Sequence, residues 1–140
     1  MNNIIKLKDL PCYKEERGSI QMLFESSNIK SISRIECLPN TWRARHSHPD
    51  IHWIEVIEGQ LEYYHCKDIN NPEPEKFIVN KGEIVWSPPN YFHEMNFSCF
   101  TVFNCYSDTP RDQLNYEKNT FRKLDLSLKN IYNEQKYKRN

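Results

Sequence analysis

From residue 19 to residue 106 the chain repeats one pattern, a short run of aromatic and β-branched residues followed by a cluster of turn formers. The runs "SIQMLFE", "SISRIECL", "HWIEVIEG", "QLEYYHC", "EKFIVN", "EIVWSP" and "FTVFNCY" each predict a strand. Such side chains suit a pleated, half-buried surface better than they suit a helix. Between them stand "RGS", "LPNTW", "NKGE" and "SPPNY", and the longer "KDINNPEPE", whose two prolines mark a surface loop. Strands at these intervals predict an all-β sandwich or barrel. No internal repeat or dividing linker interrupts them.

After Cys105 the pattern fades. The segment that follows is polar, with apolar positions sparse enough for one short helix or two, the last capped by Ser127 or Asp125. Its basic end, "EQKYKRN", is expected to fray as a solvated tail. The division expected is therefore a β domain over residues 1–125 and a polar tail over 126–140.

Composition narrows the function classes. A chain of 140 residues is one domain's length. Lysine plus arginine equals aspartate plus glutamate, 19 each, so no basic field suggests nucleic acid as a partner. Apolar runs are far too short for a membrane span, and "MNNIIKLKDLPCY" lacks the apolar stretch of a secretory signal. A cytoplasmic location is expected. The five cysteines are scattered with no C-x-x-C pair, which argues against a disulfide scaffold or a thiolate zinc site.

The chemistry concentrates in "RARHSHPDIHWIEVIEG", which holds three of the five histidines. Residues two apart on a strand share a face, so His46 and His48 project together. The Pro49–Asp50 turn then reverses the chain, and His52 opens the next strand on the face of Ile54 and Val56. Glu55 is an odd step away and is expected on the opposite face. A second segment, "KGEIVWSPPNYFHEMNF", brings His93 to the start of another strand after a Pro-Pro-Asn turn. Tyr63 shares inward parity with Leu61 and His65, and Tyr91 lies beside His93.

These segments resemble the paired motifs of the cupins. His46, His48, His52 and Gly59 match the first motif, with histidine in place of its glutamate; Gly82, Pro88 and His93 match the second. Asn90 replaces a glycine, as asparagine can where the backbone is left-handed. The resemblance implies a cupin jelly-roll β-barrel with His46, His48, His52 and His93 as ligands of a divalent metal: zinc, iron, nickel or manganese. A narrower resemblance runs from about Tyr13 to Asp125. "ERGSIQ", "RARHSH", "GEIVWSPPNYFHEMNFS" and "CYSDTPRDQLNYEKNTF" are similar to segments of sugar-nucleotide 3,4-ketoisomerases and dTDP-4-dehydrorhamnose 3,5-epimerase-like cupins.

That resemblance implies an isomerase or epimerase of a nucleotide-linked 4-keto-6-deoxy sugar in surface-polysaccharide biosynthesis. Arg17 and Arg43 would hold the pyrophosphate, with Arg45 and His65 completing substrate contacts, because a guanidinium fork suits phosphate oxygens. His46 and His48 would line the sugar site, one of them as base. Tyr63 or Tyr91 would serve as acid. Pairing into a homodimer is expected, with "NIIKLKDL" as a strand that two copies could exchange. Two other classes fit the histidines: a three-His iron dioxygenase, and a non-catalytic metal-binding cupin that holds a sugar or other small molecule.

Overall fold

The computed structural model describes every residue except 1, 2, 24, 26, 27, 111, 112 and 140. Strand β1 (Ile4–Ile5) is followed by a hairpin, β2 (Cys12–Glu15) and β3 (Gly18–Gln21), which forms a small sheet of its own. Then come β4 (Ser31–Cys37), β5 (Thr41–Ser47), β6 (His52–Glu58), β7 (Gln60–Cys66), β8 (Glu75–Asn80), β9 (Ile84–Ser87), β10 (Phe92–Phe97) and β11 (Thr101–Ser107). Helix α1 (Gln113–Asn119), strand β12 (Phe121–Arg122) and helix α2 (Leu128–Arg139) complete the chain.

The long strands make two antiparallel sheets of five, in the orders β1-β9-β6-β11-β4 and β12-β5-β10-β7-β8. Alternate residues of both fill one core. Ile54, Val56, Val85 and Phe103 come from the first sheet, and Leu61, Tyr63, Val79 and Phe97 from the second. Phe97 and Phe103 stack between the sheets with ring centroids 6.1 Å apart. Two packed antiparallel sheets with crossing connections are the jelly roll of the cupins.

Several details differ from the sequence reading. β1 adds to β9 of its own chain, with Ile4 opposite Val85 and Ile5 opposite Ile84. The run "SIQMLFE" is strand only through Gln21, and it pairs with "CYKE", which carries no clear signal in the sequence. The basic end is largely exposed, but the polar segment over 126–140 is packed at its start. Leu128 is fully buried, and α2 closes a second apolar cluster with Tyr64, Cys66 and Phe92. Leu128, Ile131 and Tyr132 fall on one stripe of α2, a spacing that reads clearly only once the helix's start is known.

That start is set by a residue far away in sequence. Glu94, on β10, is fully buried and accepts hydrogen bonds from the backbone N–H groups of Leu128 (3.2 Å) and Lys129 (3.3 Å). Ser127 is the local cap, its Oγ accepting from the N–H of Asn130 at 3.3 Å. A carboxylate on the positive end of a helix is favourable, and here it also neutralises Arg45, whose Nε donates to it at 2.8 Å. Gly59, in the β6–β7 turn, is equally constrained. Its φ is +86°, and a Cβ there would lie 2.4 Å from the Phe100 carbonyl oxygen.

Replacing Glu94 by alanine takes the acceptor from the Leu128 and Lys129 N–H groups, leaving only the Ser127 cap, and leaves Arg45 partly buried without its carboxylate. A stability loss of about 3 kcal/mol is expected in urea unfolding, with loss of helical circular dichroism ahead of the main transition.

Candidate active site in the mouth of the barrel

The histidine strands meet where the parity argument puts them, with one irregularity. β5 and β10 are paired so that His46 stands opposite His93 and Ala44 opposite Glu94. Arg45 is therefore an extra residue, a β-bulge. Ala44 and Arg45 both adopt left-handed backbone, φ 77° and 55°, which costs L-residues about 1 kcal/mol each. Across the bulge the faces shift. Arg43 and His46, three residues apart, both line the same cavity.

Four imidazoles gather there. Ring centroids lie 5.0 Å apart for His46 and His48, 4.6 Å for His46 and His93, 4.9 Å for His48 and His93, and 4.2 Å for His48 and His52. All four rings are buried, and His46, His52 and His93 line a cavity of about 400 Å³ that opens to solvent. Ile54 and Phe103 give it apolar surface; Arg43, Glu117 and Arg122 give it charge. Glu55 faces away, accepting a hydrogen bond from the Tyr106 hydroxyl at 2.6 Å.

The four histidines do not form a single ligand set. His46, His48 and His93 bring nitrogen atoms within 4.8 Å of one another, and His48, Asp50 and His52 form a second group of the same span. The ring of His52 is turned to Asp50, which its Nε2 contacts. Asp50, which reads as a turn residue in the sequence, is buried at the centre of this arrangement. It also accepts from Ser107 Oγ at 3.0 Å and Thr109 Oγ1 at 3.2 Å. Burial alone would raise its pKa, but the hydrogen bonds from His48 and His52 outweigh it and hold the carboxyl well below its usual range. A buried anion beside a histidine pair is the feature that sequence reasoning missed. Its only sequence signal is an aspartate midway between two histidines.

Hydrogen bonds assign the ring protons. His48 Nδ1 lies 3.0 Å from the Asp50 carbonyl and 3.0 Å from its carboxylate, both acceptors, so Nδ1 carries hydrogen and Nε2 the lone pair. His93 Nδ1 points at the Tyr91 carbonyl at 3.1 Å, which gives the same tautomer. Burial, reinforced by the neighbouring imidazoles, pushes the His93 pKa well below the ordinary value. His46 is pushed down to about 3 by burial, then by the proximity of His48, Arg122 and His52.

The remaining sequence candidates separate. Arg43 lines the cavity, while its Nε donates to Cys37 Sγ at 3.2 Å and its Nη2 to the Glu36 carbonyl at 3.1 Å. Arg17 does not: it is exposed on the β2–β3 turn, paired with Glu15 at 2.7 Å. Arg45 is a structural strut. The bulge turns it outward, onto Glu94, the Leu124 carbonyl (2.7 Å) and the Trp42 ring (3.7 Å). His65 is fully buried among Tyr63, Phe77 and Tyr91, with Nε2 3.4 Å from a Glu75 oxygen, a charge contact without hydrogen-bond geometry. Tyr63 is core; its ring stacks behind His93, and its hydroxyl is fully buried. Burial raises its pKa, which suits it poorly to proton donation. Tyr91 packs on His65, 4.9 Å between centroids, outside the cavity lining.

Neither a family model nor a curated protein matches the sequence. The fold, however, has clear counterparts among solved structures. A 3,4-ketoisomerase from Helicobacter canadensis superposes with a TM-score of 0.67 at 19% identity, over 93% of this chain and 96% of its own. QdtA, a sugar 3,4-ketoisomerase from Thermoanaerobacterium thermosaccharolyticum solved in complex with TDP, gives 0.65 at 18% identity, over 97% and 94%. The dTDP-4-dehydrorhamnose 3,5-epimerase of Sulfolobus tokodaii gives 0.64 at 14% identity, over 84% and 73%. At these identities the likeness establishes the jelly-roll fold alone. Among the described residues no helix is long and apolar enough to cross a membrane.

The depressed His46 and His93 pKa values have a consequence for stability. In the unfolded chain an imidazole takes a proton near pH 6.5; in the folded chain His46 stays neutral to about pH 3. Between those values the unfolded state binds more protons, so stability is full above about pH 6.5 and falls as the pH drops through the window. Asp50 adds to the loss below its ordinary value of 3.8. The melting temperature is expected to decline from pH 7 to pH 4, less steeply in His46→Gln.

Proposed function

We propose that this chain isomerises or epimerises a nucleotide-linked 4-keto-6-deoxy sugar by moving a proton at a carbon next to the keto group. The observation that carries the reading is the pairing of His48 with buried Asp50, directly behind His46 and His93, which line a cavity of about 400 Å³. That volume is in the range of small-ligand sites. The acceptors on His48 Nδ1 keep the ring in one tautomer, with the bare Nε2 that a general base needs.

In that step the C–H bond breaks, its proton goes to imidazole, and its electron pair passes into the carbonyl, leaving an enolate oxygen. Return of the proton to the other face of the same carbon gives an epimer; its delivery to the former carbonyl carbon, with the proton of the neighbouring hydroxyl passing to the enolate oxygen, moves the keto group by one carbon and gives an isomer. No oxidant is needed. Arg43 is the candidate for the phosphates, since its guanidinium reaches the cavity lining. The same reading makes the protein a cytoplasmic, homodimeric enzyme of surface-polysaccharide synthesis.

The test is proton NMR of dTDP-4-keto-6-deoxyglucose with the protein in heavy water. Deuterium is expected at a ring carbon adjacent to the keto group, at least about 100-fold slower with His48→Asn or Asp50→Asn. A wild-type protein that binds the compound without exchange, or exchange unchanged in His48→Asn, counts against the proposal.

A second reading has its own support in the convergence of His46, His48 and His93, a set of imidazoles that a divalent ion such as zinc, iron, nickel or manganese accepts. Bound there, the ion would act as a Lewis acid on a carbonyl oxygen. His48 and His93 fit it through Nε2. Under this reading protein purified without chelators carries about one ion per chain by elemental analysis, and His93→Ala abolishes it. A metal-free wild type that takes up none on addition rejects it.

A further inference from the structure

The segment after β11 returns across the cavity mouth, and its contacts are specific. β12 adds to the edge of β5, with Phe121 opposite Ser47 and Arg122 opposite His46. The Lys123 N–H donates to the Arg45 carbonyl at 3.0 Å. Arg122 is held on its own segment by Glu117, with Nε to Oε2 at 3.0 Å and Nη2 to Oε1 at 2.8 Å, a two-point fork. Its third nitrogen, Nη1, lies 3.2 Å from His46 Nδ1. Both Arg122 and Glu117 line the cavity.

A guanidinium only donates, and it does not deprotonate in proteins. Wherever Arg122 bonds to Nδ1 of His46, that nitrogen is the acceptor and the ring hydrogen sits on Nε2. His48 and His93 are the opposite, each offering a lone pair at Nε2 because its Nδ1 faces an acceptor. Three neighbouring imidazoles are thus set in two senses by their outer partners.

We infer that Arg122, clamped by Glu117, is a positioning residue that fixes His46 as a hydrogen-bond donor and so divides the work of the pair: His48 takes the proton and His46 holds the oxygen. The inference rests on the proposed proton-transfer function for its purpose, but not for its geometry. An Nε2–H beside the reacting carbonyl stabilises the enolate oxygen as charge develops there. A neutral imidazole suits this task, since a stronger acid would surrender its proton. The arrangement also removes His46 from any ligand set, because an Nε2 that bears hydrogen cannot bind an ion. A three-His metal site therefore requires Arg122 to release His46.

The tautomer of His46 is measurable without any substrate. In protein labelled with nitrogen-15 at histidine, two-bond nitrogen–proton correlation distinguishes a bare ring nitrogen from one carrying hydrogen, and the His46 signals are identified by their loss in His46→Gln. In the wild type Nδ1 is expected to be bare and Nε2 protonated, with His48 and His93 reversed. In Arg122→Leu the two His46 nitrogens move toward the average of both tautomers, and Arg122→Lys restores the wild-type pattern. Hydrogen on His46 Nδ1 in the wild type, or identical His46 signals in the wild type and Arg122→Leu, would overturn the inference. The wild-type spectrum decides even where a variant folds poorly. Deuterium exchange into the sugar with the wrong His46 tautomer would leave the function standing and remove only Arg122's role.

Discussion

One surplus residue in β5 sets the geometry on which the site depends. On a regular strand Arg43 and His46 would face opposite ways, and His93 would stand opposite Arg45. The bulge admits Arg45 between Ala44 and His46, so Arg43 and His46 both reach the cavity while Arg45 is turned out to Glu94. The strain of two left-handed L-residues, about 2 kcal/mol in sum, is offset by what the outward turn creates. Arg45 gains a buried carboxylate, a backbone acceptor at Leu124 and the face of Trp42. Glu94, thus neutralised, serves as the remote cap that seats α2.

Asp50 imposes the second constraint. Four buried imidazoles repel any proton they might share, as the low His46 and His93 pKa values express. A buried carboxylate on one side of the cluster breaks that symmetry. It favours hydrogen on His48 Nδ1 and on His52 Nε2, and Ser107 and Thr109 occupy its remaining lone pairs. Chemically equivalent side chains a few ångströms apart are thereby given different work. His52 is engaged in holding the anion, and His48 is fixed by it in one tautomer.

How much of this was legible in the sequence follows from the range of each interaction. Strands governed by their own pattern were readable: the face shared by His52, Ile54 and Val56, the outward Glu55, and the left-handed turn at Asn90, whose φ is 62°. Features fixed by a distant partner were not. Asp50 reads as a turn residue because its acceptor role depends on Ser107 and Thr109, more than fifty residues on. Arg45 reads as a substrate contact because nothing local announces Glu94. The bulge is masked by Ala44, since a glycine there would have declared the left-handed backbone and alanine does not. The polar C-terminal quarter hid its packing for a related reason. Three apolar positions suffice to seat α2, once Glu94 supplies the cap.

The same dependence runs through to the chemistry. The bulge that frees Arg45 also exposes its carbonyl to the N–H of Lys123 and leaves the β5 edge at Ser47 and His46 open to β12. The returning segment is therefore anchored on the irregular part of the strand, on both sides of Arg122. Anchoring there, and the fork to Glu117, place the guanidinium against His46 rather than out in solvent. A backbone defect selects the strand edge, the edge selects the arginine's position, and the arginine selects which nitrogen of one imidazole bears hydrogen. Substituting any residue along that chain disturbs the site from a distance. The dependence runs one way along the backbone, because Ile54, Val56, Leu61, Phe97 and Phe103 pack against one another between the sheets.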